Sequence, residues 1–215
     1  MSRFSILLGG ELRRTPELNH QIADTRVIAA DVGIGHAAVL ELKPELWVGD
    51  FDSVPDEMAR NFSHVPREIF PPAKDKTDGE IAIEAALRLG ATSLVLIGAF
   101  GGSRPDHSYL HMVQAIRLAE NGVPTLLTSG SQEGCAILEG QRHVYDYPEG
   151  TVFSILVISD LSGLTVEGAK WPLDAVEVPL GSSLTMSNEV QGRLAVTLQQ
   201  GRALLFADFL AEGTN

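Results

Sequence analysis

Short apolar runs alternate with helical patterns from the start of the chain to about residue 130. Six runs have the length and composition of strands: FSILLGG, TRVIAAD, ELWVGD, HVPREIF, SLVLIGAF and VPTLLTS. Between them, the spacing of apolar residues predicts helices at 16–23, 34–42, 55–61, 78–89 and 105–120. This alternation predicts an α/β domain, a parallel sheet with helices on both faces. In such a sheet, chemistry belongs to the loops that follow the strands.

Two of these helices have clear start signals. A T-x-x-E capping box runs from Thr77 to Glu80 and precedes the helix at 78–89. Pro105 occupies the first position of the helix at 105–120. The first turns of these two helices therefore carry Asp78, Asp106 and His107.

The helical period disappears after about residue 130. Strand-like segments follow at intervals of about ten residues: CAILEG, HVYDYP, TVFSILVIS, LTVEGAKWPL, AVEVPL, SLTMSNEV, RLAVTLQQ and ALLFADF. Gly, Pro, Ser and Asp separate them, a pattern typical of an antiparallel sandwich. We therefore predict an α/β domain at 1–130 and an all-β sandwich domain at 131–215, with the boundary in SGSQE.

Composition narrows the class of partner. The 215 residues are 44% hydrophobic and 20% charged, which is ordinary for a soluble globular protein. The formal net charge of −12 argues against a nucleic-acid partner, because such proteins must neutralise phosphates. An anionic substrate would need metal ions as intermediaries, whereas a cationic substrate would be attracted directly.

Cys135 is the only cysteine, so an internal disulfide and a cysteine-based zinc site are excluded. The apolar run near the N-terminus is too short for a signal peptide, and no stretch reaches the roughly 18–20 apolar residues of a membrane span. We expect a cytoplasmic protein with no membrane partner.

Acidic residues occupy the predicted loops of the first half. They are Asp31 in AADVG, Asp50 and Asp52 in GDFDS, Asp75 and Asp78 in KDKTDGE, and Asp106 in SRPDH. Carboxylates that converge at strand ends form a site for a hard cation, so a magnesium-bound polyphosphate is the expected ligand. In GDFDS, residues two apart in an extended turn point the same way and could share one metal ion or two. The alternative is that single aspartates cap the next turn.

The segment KDKTD precedes a helix. Lys74 or Lys76 could bind phosphate oxygens, the helix N-terminus an anion, and Asp75 or Asp78 a metal ion. The alternative is a solvated turn in which Asp78 complements the helix dipole.

The segment GGSRPDH follows the most apolar strand. Its glycines allow close approach of a ligand, and Arg104 offers a fork of donors suited to phosphate. The segment matches neither the P-loop nor the dinucleotide fingerprint. His107 could orient Asp106 or act as a base, and we assign His111 to packing.

Three residues stand out in the β half: Trp171 in GAKWPL, and Ser187 and Asn188 in LTMSNEV. Core packing for the tryptophan and a turn for Ser-Asn are the ordinary alternatives. We assign Trp47, in the strand before GDFDS, to the core.

The ordered set GDFDS, KDKTD, GGSRPDH, GAKWPL and MSNE, on an α/β half followed by a β half, closely resembles the thiamin pyrophosphokinase (thiamine diphosphokinase) family. The resemblance covers essentially the whole chain. It implies transfer of the pyrophosphoryl group of ATP to thiamin, giving thiamin diphosphate and AMP, with Mg²⁺. It also implies a homodimer with thiamin sites between subunits.

The resemblance assigns roles by position. Asp50, Asp52 and Asp78 would be the metal and catalytic carboxylates. Thr77, Arg104 and Asp106 would face the nucleotide or the reacting alcohol. Apart from the resemblance, we also assign Asp31, Lys74 and His107 to the nucleotide. Trp171, Ser187 and Asn188 would contact thiamin. Either Asp106 or Asp78 would accept the alcohol proton.

The chain departs from the family pattern at Val32, where a second glycine is common, and at Lys76, where a hydrophobic or aromatic residue is common. The loop before the Arg-x-Asp-His equivalent is also slightly longer. Three rival functions are pyrophosphorylation of another alcohol such as a hydroxymethyl pterin, metal-dependent nucleotide hydrolysis, and non-catalytic sensing of thiamin or a nucleotide.

Overall fold

The computed structural model describes residues 2–71 and 75–209 of the chain. The chain forms two compact units. The first contains the residues up to Tyr109 together with Gly122–Gly130, and the second contains Leu110–Asn121 together with the residues from Ser131 onward. None of the helices in the described ranges combines the length and apolarity needed to span a bilayer.

The first unit is built on a parallel sheet. Its strands are β1 (Arg3–Leu7), β2 (Arg26–Ala30), β3 (Leu46–Gly49), β4 (Arg67–Ile69), β5 (Ser93–Ile97) and β6 (Thr125–Thr128). They lie in the order β6-β5-β1-β2-β3-β4, and each neighbouring pair is parallel. The chain order reverses beside β1, because β2 lies on one side of it and β5 on the other. In open α/β sheets a ligand crevice forms at the carboxyl edge beside such a reversal.

Helices follow the strands at the predicted places. They are α1 (Pro16–Gln21), α2 (Gly35–Leu40), α3 (Asp56–Asn61), α4 (Asp78–Arg88) and α5 (Pro105–Glu120), with a short 3₁₀ helix at Asp31–Ile34 directly before α2. The Thr77 hydroxyl accepts a hydrogen bond from the Glu80 amide at 3.2 Å, as the capping box predicts. The predicted helix starts at Asp78 and Pro105 are confirmed.

Both faces of the parallel sheet are buried. Successive residues of β1, β2, β3 and β5 are all inaccessible after the first, as expected for strands covered on two sides. On one face, side chains of α1 and α2 pack against Val27, Ala29 and the fully buried Trp47. Helix α4 contacts β1, β2 and β3. The assignment of Trp47 to the core is thus confirmed.

The described part of the second unit contains antiparallel strands. They are β7 (Gln132–Ile137), β8 (Arg142–Tyr145), β9 (Val152–Val157), β10 (Leu161–Ala169), β11 (Leu173–Val178), β12 (Asn188–Thr197) and β13 (Ala203–Asp208). They pair in the order β7-β13-β9-β12-β10-β11, with β8 also on β12. A single apolar cluster includes Ile137, Phe153, Leu164, Val178 and Leu194 from different strands.

One pair of predicted strands was wrong. SLTMSNEV and RLAVTLQQ do not form two strands, since a single strand, β12, begins at Asn188 and continues to Thr197. Gly192 has a φ of 106° and carries the chain through without ending the strand. Strand β10 pairs with β12 on both sides of Gly192, whereas the other edge of β12 pairs with β9 before the glycine and with β8 after it. The glycine therefore marks a change of partner on one edge rather than a turn.

Candidate active site

Four carboxylates lie at the carboxyl edge of the parallel sheet. Asp31 follows β2, Asp50 and Asp52 follow β3, and Asp78 begins α4. We call these four residues the carboxylate cluster. Because the strands are parallel, their carboxyl ends share one edge, and this brings together residues that are far apart in sequence.

Asp31 connects the members of the cluster. Its carboxylate is half-buried, and its Oδ1 atom is inaccessible and has no hydrogen-bond partner within residues 2–71 and 75–209. Burial raises the pKa of Asp31, and the charges of Asp78, Asp50 and Asp52 raise this pKa further, whereas a hydrogen bond from the Val32 amide lowers it. Each of these three carboxylates is therefore close enough to Asp31 to repel its charge.

The GDFDS loop turns tightly beside Asp31. Gly49 ends β3 against the Asp31 carboxylate, so that a Cβ at Gly49 would lie 3.4 Å from Oδ1 of Asp31. Oδ1 of Asp50 accepts a hydrogen bond from the Asp52 amide at 3.2 Å, and the Ser53 hydroxyl donates to Oδ1 of Asp52 at 2.9 Å. Between the two aspartates, Phe51 has a φ of 64°. Both aspartates thus make local turn contacts.

The cluster has the donor chemistry of a hard-cation site. Within residues 2–71 and 75–209, no three His, Cys, Asp or Glu side chains are already assembled as a complete metal cage. The unpartnered oxygen of Asp31 and its repulsion by three other carboxylates nevertheless fit a divalent cation. Mg²⁺ commonly uses only one or two protein carboxylates and takes its other ligands from phosphates and water.

The segment before α4 is only partly described. Lys74 lies outside the described residues, so its assignment to the nucleotide stays a prediction. Lys76 forms an ion pair with Glu84 at 2.6 Å, and both side chains are exposed. Thr77 is the N-cap of α4, and its hydroxyl accepts through oxygen, so its O–H can still donate to a ligand.

Arg104 and Asp106 form a bidentate ion pair at the start of α5. Nε of Arg104 donates to Oδ1 of Asp106 at 3.0 Å, and a terminal guanidinium nitrogen donates to Oδ2 at 2.7 Å. The adjacent guanidinium holds the pKa of Asp106 well below its usual range. Both side chains are exposed. The amide of His107 donates to the carbonyl of Arg104 at 3.1 Å. His111 is buried, in keeping with a packing role.

Two features of this edge escaped the sequence reasoning, namely the LGGE segment after β1 and His36 of α2. The Gly10 amide donates to the Gly98 carbonyl at 3.0 Å, and a Cβ on Gly10 would collide with the Gly98 and Phe100 carbonyl oxygens. The His36 ring nitrogen Nε2 lies 3.0 Å from the Gly10 carbonyl. Burial lowers the pKa of His36. The Gly-Gly pair directly after an apolar strand was the available signal for this close contact.

The β-half candidates lie together within the second unit. The Asn188 side chain accepts from the Trp171 amide at 3.1 Å and donates to the Trp171 carbonyl at 2.8 Å. Asn188 is buried, while the Trp171 side chain is 56% exposed and does not belong to the core. Nζ of Lys170 lies 5.1 Å from the centroid of the indole. Ser187 has a φ of 56°, and its amide donates to the Ser154 hydroxyl at 2.9 Å.

Comparison with known proteins finds matches to one protein family. Residues 20–127 match the thiamin pyrophosphokinase catalytic domain, and residues 141–205 match the thiamin pyrophosphokinase vitamin B1 binding domain. A thiamine pyrophosphokinase of Bacillus subtilis strain 168 is 26% identical over 205 residues, which cover 88% of this chain and 90% of that protein.

Solved structures show the same fold. A crystal structure of thiamine pyrophosphokinase from Bacillus subtilis aligns with a TM-score of 0.84 and 22% identity, covering 96% of this chain and 99% of that chain. Thiamin pyrophosphokinase from Geobacillus thermodenitrificans aligns with a TM-score of 0.76 and 26% identity over 97% of both chains. The Candida albicans enzyme aligns with a TM-score of 0.78 and 14% identity, covering 96% and 88% of the respective chains.

The family models together cover both halves of the chain, and the catalytic-domain match spans the carboxylate cluster and the Arg104–Asp106 pair. With a fold shared over nearly the whole length, these matches show that the chain belongs to the thiamin pyrophosphokinase family.

Proposed function

We propose that this protein transfers the pyrophosphoryl group of ATP to the hydroxyl of thiamin, forming thiamin diphosphate and AMP. The observation that carries the proposal is the carboxylate cluster around the buried oxygen of Asp31, at the sheet edge of a chain in this family. In the reaction, the thiamin oxygen bonds to the β-phosphorus while the bond from that phosphorus to the bridging α–β oxygen breaks. The hydroxyl proton is lost.

A divalent cation, Mg²⁺ in our proposal, would be held by Asp50, Asp52 and Asp78 beside Asp31. When bound, it would neutralise the charge of the polyphosphate and orient it. The turn contacts of Asp50 and Asp52 help to fix the orientation of these two side chains. Positioning and charge stabilisation are the main requirements of such a transfer.

Cationic and polar groups would bind the nucleotide. Arg104 presents a fork of donors that matches phosphate oxygens, and Thr77 and the first amides of α4 offer hydrogen bonds to an anion. Lys74 and His107 complete the proposed nucleotide set. The ion pair with Asp106 pre-orients the Arg104 guanidinium.

The two candidate proton acceptors differ in their surroundings. Asp106 is bound on both carboxylate oxygens by Arg104, and its lowered pKa makes it a weak base. Asp78 belongs to the carboxylate cluster and interacts with Asp31. This contrast argues against Asp106 as the group that accepts the alcohol proton and leaves Asp78, also proposed as a metal ligand, as the remaining candidate.

Thiamin would bind at the β half through Trp171, Ser187 and Asn188. The exposed indole offers a flat surface for the pyrimidine. The backbone of Trp171 is held by two hydrogen bonds to the side chain of Asn188 in β12. Because Lys170 covers one face of the indole, thiamin would stack on the other. The thiazolium cation would be favoured by the chain's net charge of −12.

The remaining parts of the proposal concern organisation. We propose that residues 1–130 bind the nucleotide and that residues 131–215 form a sandwich that binds thiamin and joins two copies in a homodimer. The shared apolar cluster of the antiparallel strands supports the sandwich. We also propose a cytoplasmic location, in keeping with an activity that consumes ATP.

An acceptor panel tests the function. Incubation with ATP and Mg²⁺ should yield AMP and thiamin diphosphate with thiamin present, and little AMP with a hydroxymethyl pterin or with no acceptor. Equal AMP release without an acceptor would show a nucleotide hydrolase. Product only with the pterin would show a different pyrophosphokinase, and binding without turnover would show a sensor.

A further inference from the structure

Trp47 contacts both segments that carry the sheet-edge aspartates of β2 and β3. Its side chain is fully buried, and its Nε1 atom donates a hydrogen bond to the backbone carbonyl of Asp31 at 2.8 Å. Its ring meets Phe51 edge-on, with centroids 4.9 Å apart and an interplanar angle of 77°. Phe51 stands between Asp50 and Asp52, so one indole touches the backbone or the direct neighbours of three carboxylates.

Arg67 fixes this contact from the next strand. It is the register partner of Trp47 in the parallel β3–β4 pair. Its guanidinium carbon lies 4.5 Å from the Trp47 centroid and 5.2 Å from the Phe51 centroid, and one guanidinium nitrogen donates to the Ala59 carbonyl at 2.8 Å. A guanidinium over two rings attracts both of them, and its hydrogen bond fixes its position.

The contacts of Trp47 end on two residues with unusual backbone conformations. Asp31 has a φ of 43° and Phe51 a φ of 64°. L-residues with a Cβ rarely adopt this left-handed region, and such conformations persist where the surroundings hold them. The indole N–H holds the first residue, and the indole ring together with Arg67 holds the second.

We propose that Trp47, supported by Arg67, is a positioning residue that sets Asp31, Asp50 and Asp52 relative to one another for the metal–nucleotide complex. This inference rests on the proposed function. Trp47 acts through the Asp31 carbonyl and the Phe51 ring, so it does not touch the reacting atoms. Removing it should displace carboxylates while leaving their chemical identity unchanged.

The chain offers a matched control for this arrangement. Phe4 of β1 is also fully buried, Arg26 is its register partner in β2, and the Arg26 guanidinium carbon lies 4.4 Å from the Phe4 centroid. Phe4 lies near the start of β1, whereas the carboxylate cluster follows the ends of β2 and β3. Substitutions here disturb a core aromatic and its arginine without reaching the cluster.

The experiment compares Trp47→Phe and Arg67→Met with Phe4→Leu and Arg26→Met. Each variant is assayed for kcat, for KM of ATP and of thiamin, for Mg²⁺·ATP affinity by calorimetry without thiamin, and for Tm.

For Trp47→Phe we expect kcat to fall about 10- to 100-fold, because small misplacements of catalytic groups are costly. Mg²⁺·ATP affinity should weaken several-fold, with KM for thiamin unchanged. Arg67→Met should act in the same direction and more weakly, and the control variants should lower only Tm.

Wild-type kcat and Mg²⁺·ATP affinity in both Trp47→Phe and Arg67→Met would overturn the positioning role. Arg67 is exposed, so its variant decides the matter even if Trp47→Phe does not fold. The calorimetry also separates this inference from the function. A wild-type chain that binds Mg²⁺·ATP but forms no thiamin diphosphate would contradict the proposed function, while the variants would still show whether Trp47 shapes the site.

Discussion

Several features of Asp31 each disfavour the folded state. Its backbone is left-handed, one carboxylate oxygen is buried without a hydrogen-bond partner among the described residues, and burial together with three other carboxylates raises its pKa. A group whose folded pKa lies above its unfolded value binds more protons in the folded state over that interval. Stability therefore falls as pH rises through the interval, and the full penalty is present once the pH exceeds the folded pKa.

We expect Asp31→Asn to be more stable and less active than the wild type. Asparagine tolerates the left-handed region and removes the charge, so Tm at pH 7 should rise by about 1–4 °C. The gain should shrink as pH falls towards the unfolded pKa of about 4. Turnover should fall at least about tenfold through loss of charge stabilisation.

Asp24 provides the control, because it is exposed and has a φ of 58°. Asp24→Asn should leave turnover unchanged. Thermal melts at several pH values and initial rates measure both effects. A lower Tm for Asp31→Asn at pH 7 would show that the carboxylate stabilises the fold, contrary to this account.

At the level of elements, the strands and helices of the first unit were predictable because each has strong local signals. Strands buried on both faces give continuous apolar runs, and Thr77 and Pro105 mark helix starts. The convergence of Asp31, Asp50 and Asp78 at one edge could be predicted from the parallel topology.

The contacts of Trp47 with Asp31 and Phe51 could not be predicted, because they depend on the register and the side-chain direction between strands. The predicted break between SLTMSNEV and RLAVTLQQ was wrong for the same reason, since only the pairing partners on either side of Gly192 show that the strand continues.

His36 of α2 contacts the segment that follows β1. Its titration should make the stability of the fold depend on pH. Burial lowers its folded pKa below the unfolded value of about 6.5. Between these two values the unfolded state binds the proton and the folded state does not. Stability should therefore fall as pH drops below about 6.5, and the dependence should level off below the folded pKa.

In His36→Gln, the side-chain amide can still donate a hydrogen bond to the Gly10 carbonyl, but glutamine does not titrate. We expect the variant to lose less stability than the wild type between about pH 7 and pH 5. Urea unfolding across this range makes the measurement, and His20→Gln, at the end of α1, is the control. Parallel curves for wild type and His36→Gln would refute the assignment.

At the scale of the whole molecule, the candidate thiamin-binding tryptophan of the second unit lies on the protein surface. Trp171 is 56% exposed although its backbone is tied to the buried Asn188. A core tryptophan would cost about 3–5 kcal/mol on truncation, whereas an exposed one should cost little. This exposure fits the proposed role of Trp171 as a surface for thiamin.

Trp171→Ala should raise KM for thiamin by about one to two decades, with little change in Tm or in KM for ATP. The backbone hydrogen bonds to Asn188 are retained in this variant. Leu180→Ala is the matched control, because Leu180 is 61% exposed in the same unit. Unchanged thiamin kinetics in Trp171→Ala would remove this residue from the thiamin site.

Transfer of an intact pyrophosphoryl group is the central claim, and ATP labelled at the β-phosphorus tests it most directly. With Mg²⁺ and thiamin, the account predicts that all transferred label appears in thiamin diphosphate, with unlabelled AMP formed in equal amount and no ADP. Labelled ADP together with unlabelled thiamin monophosphate would show stepwise phosphoryl transfer and would contradict the account.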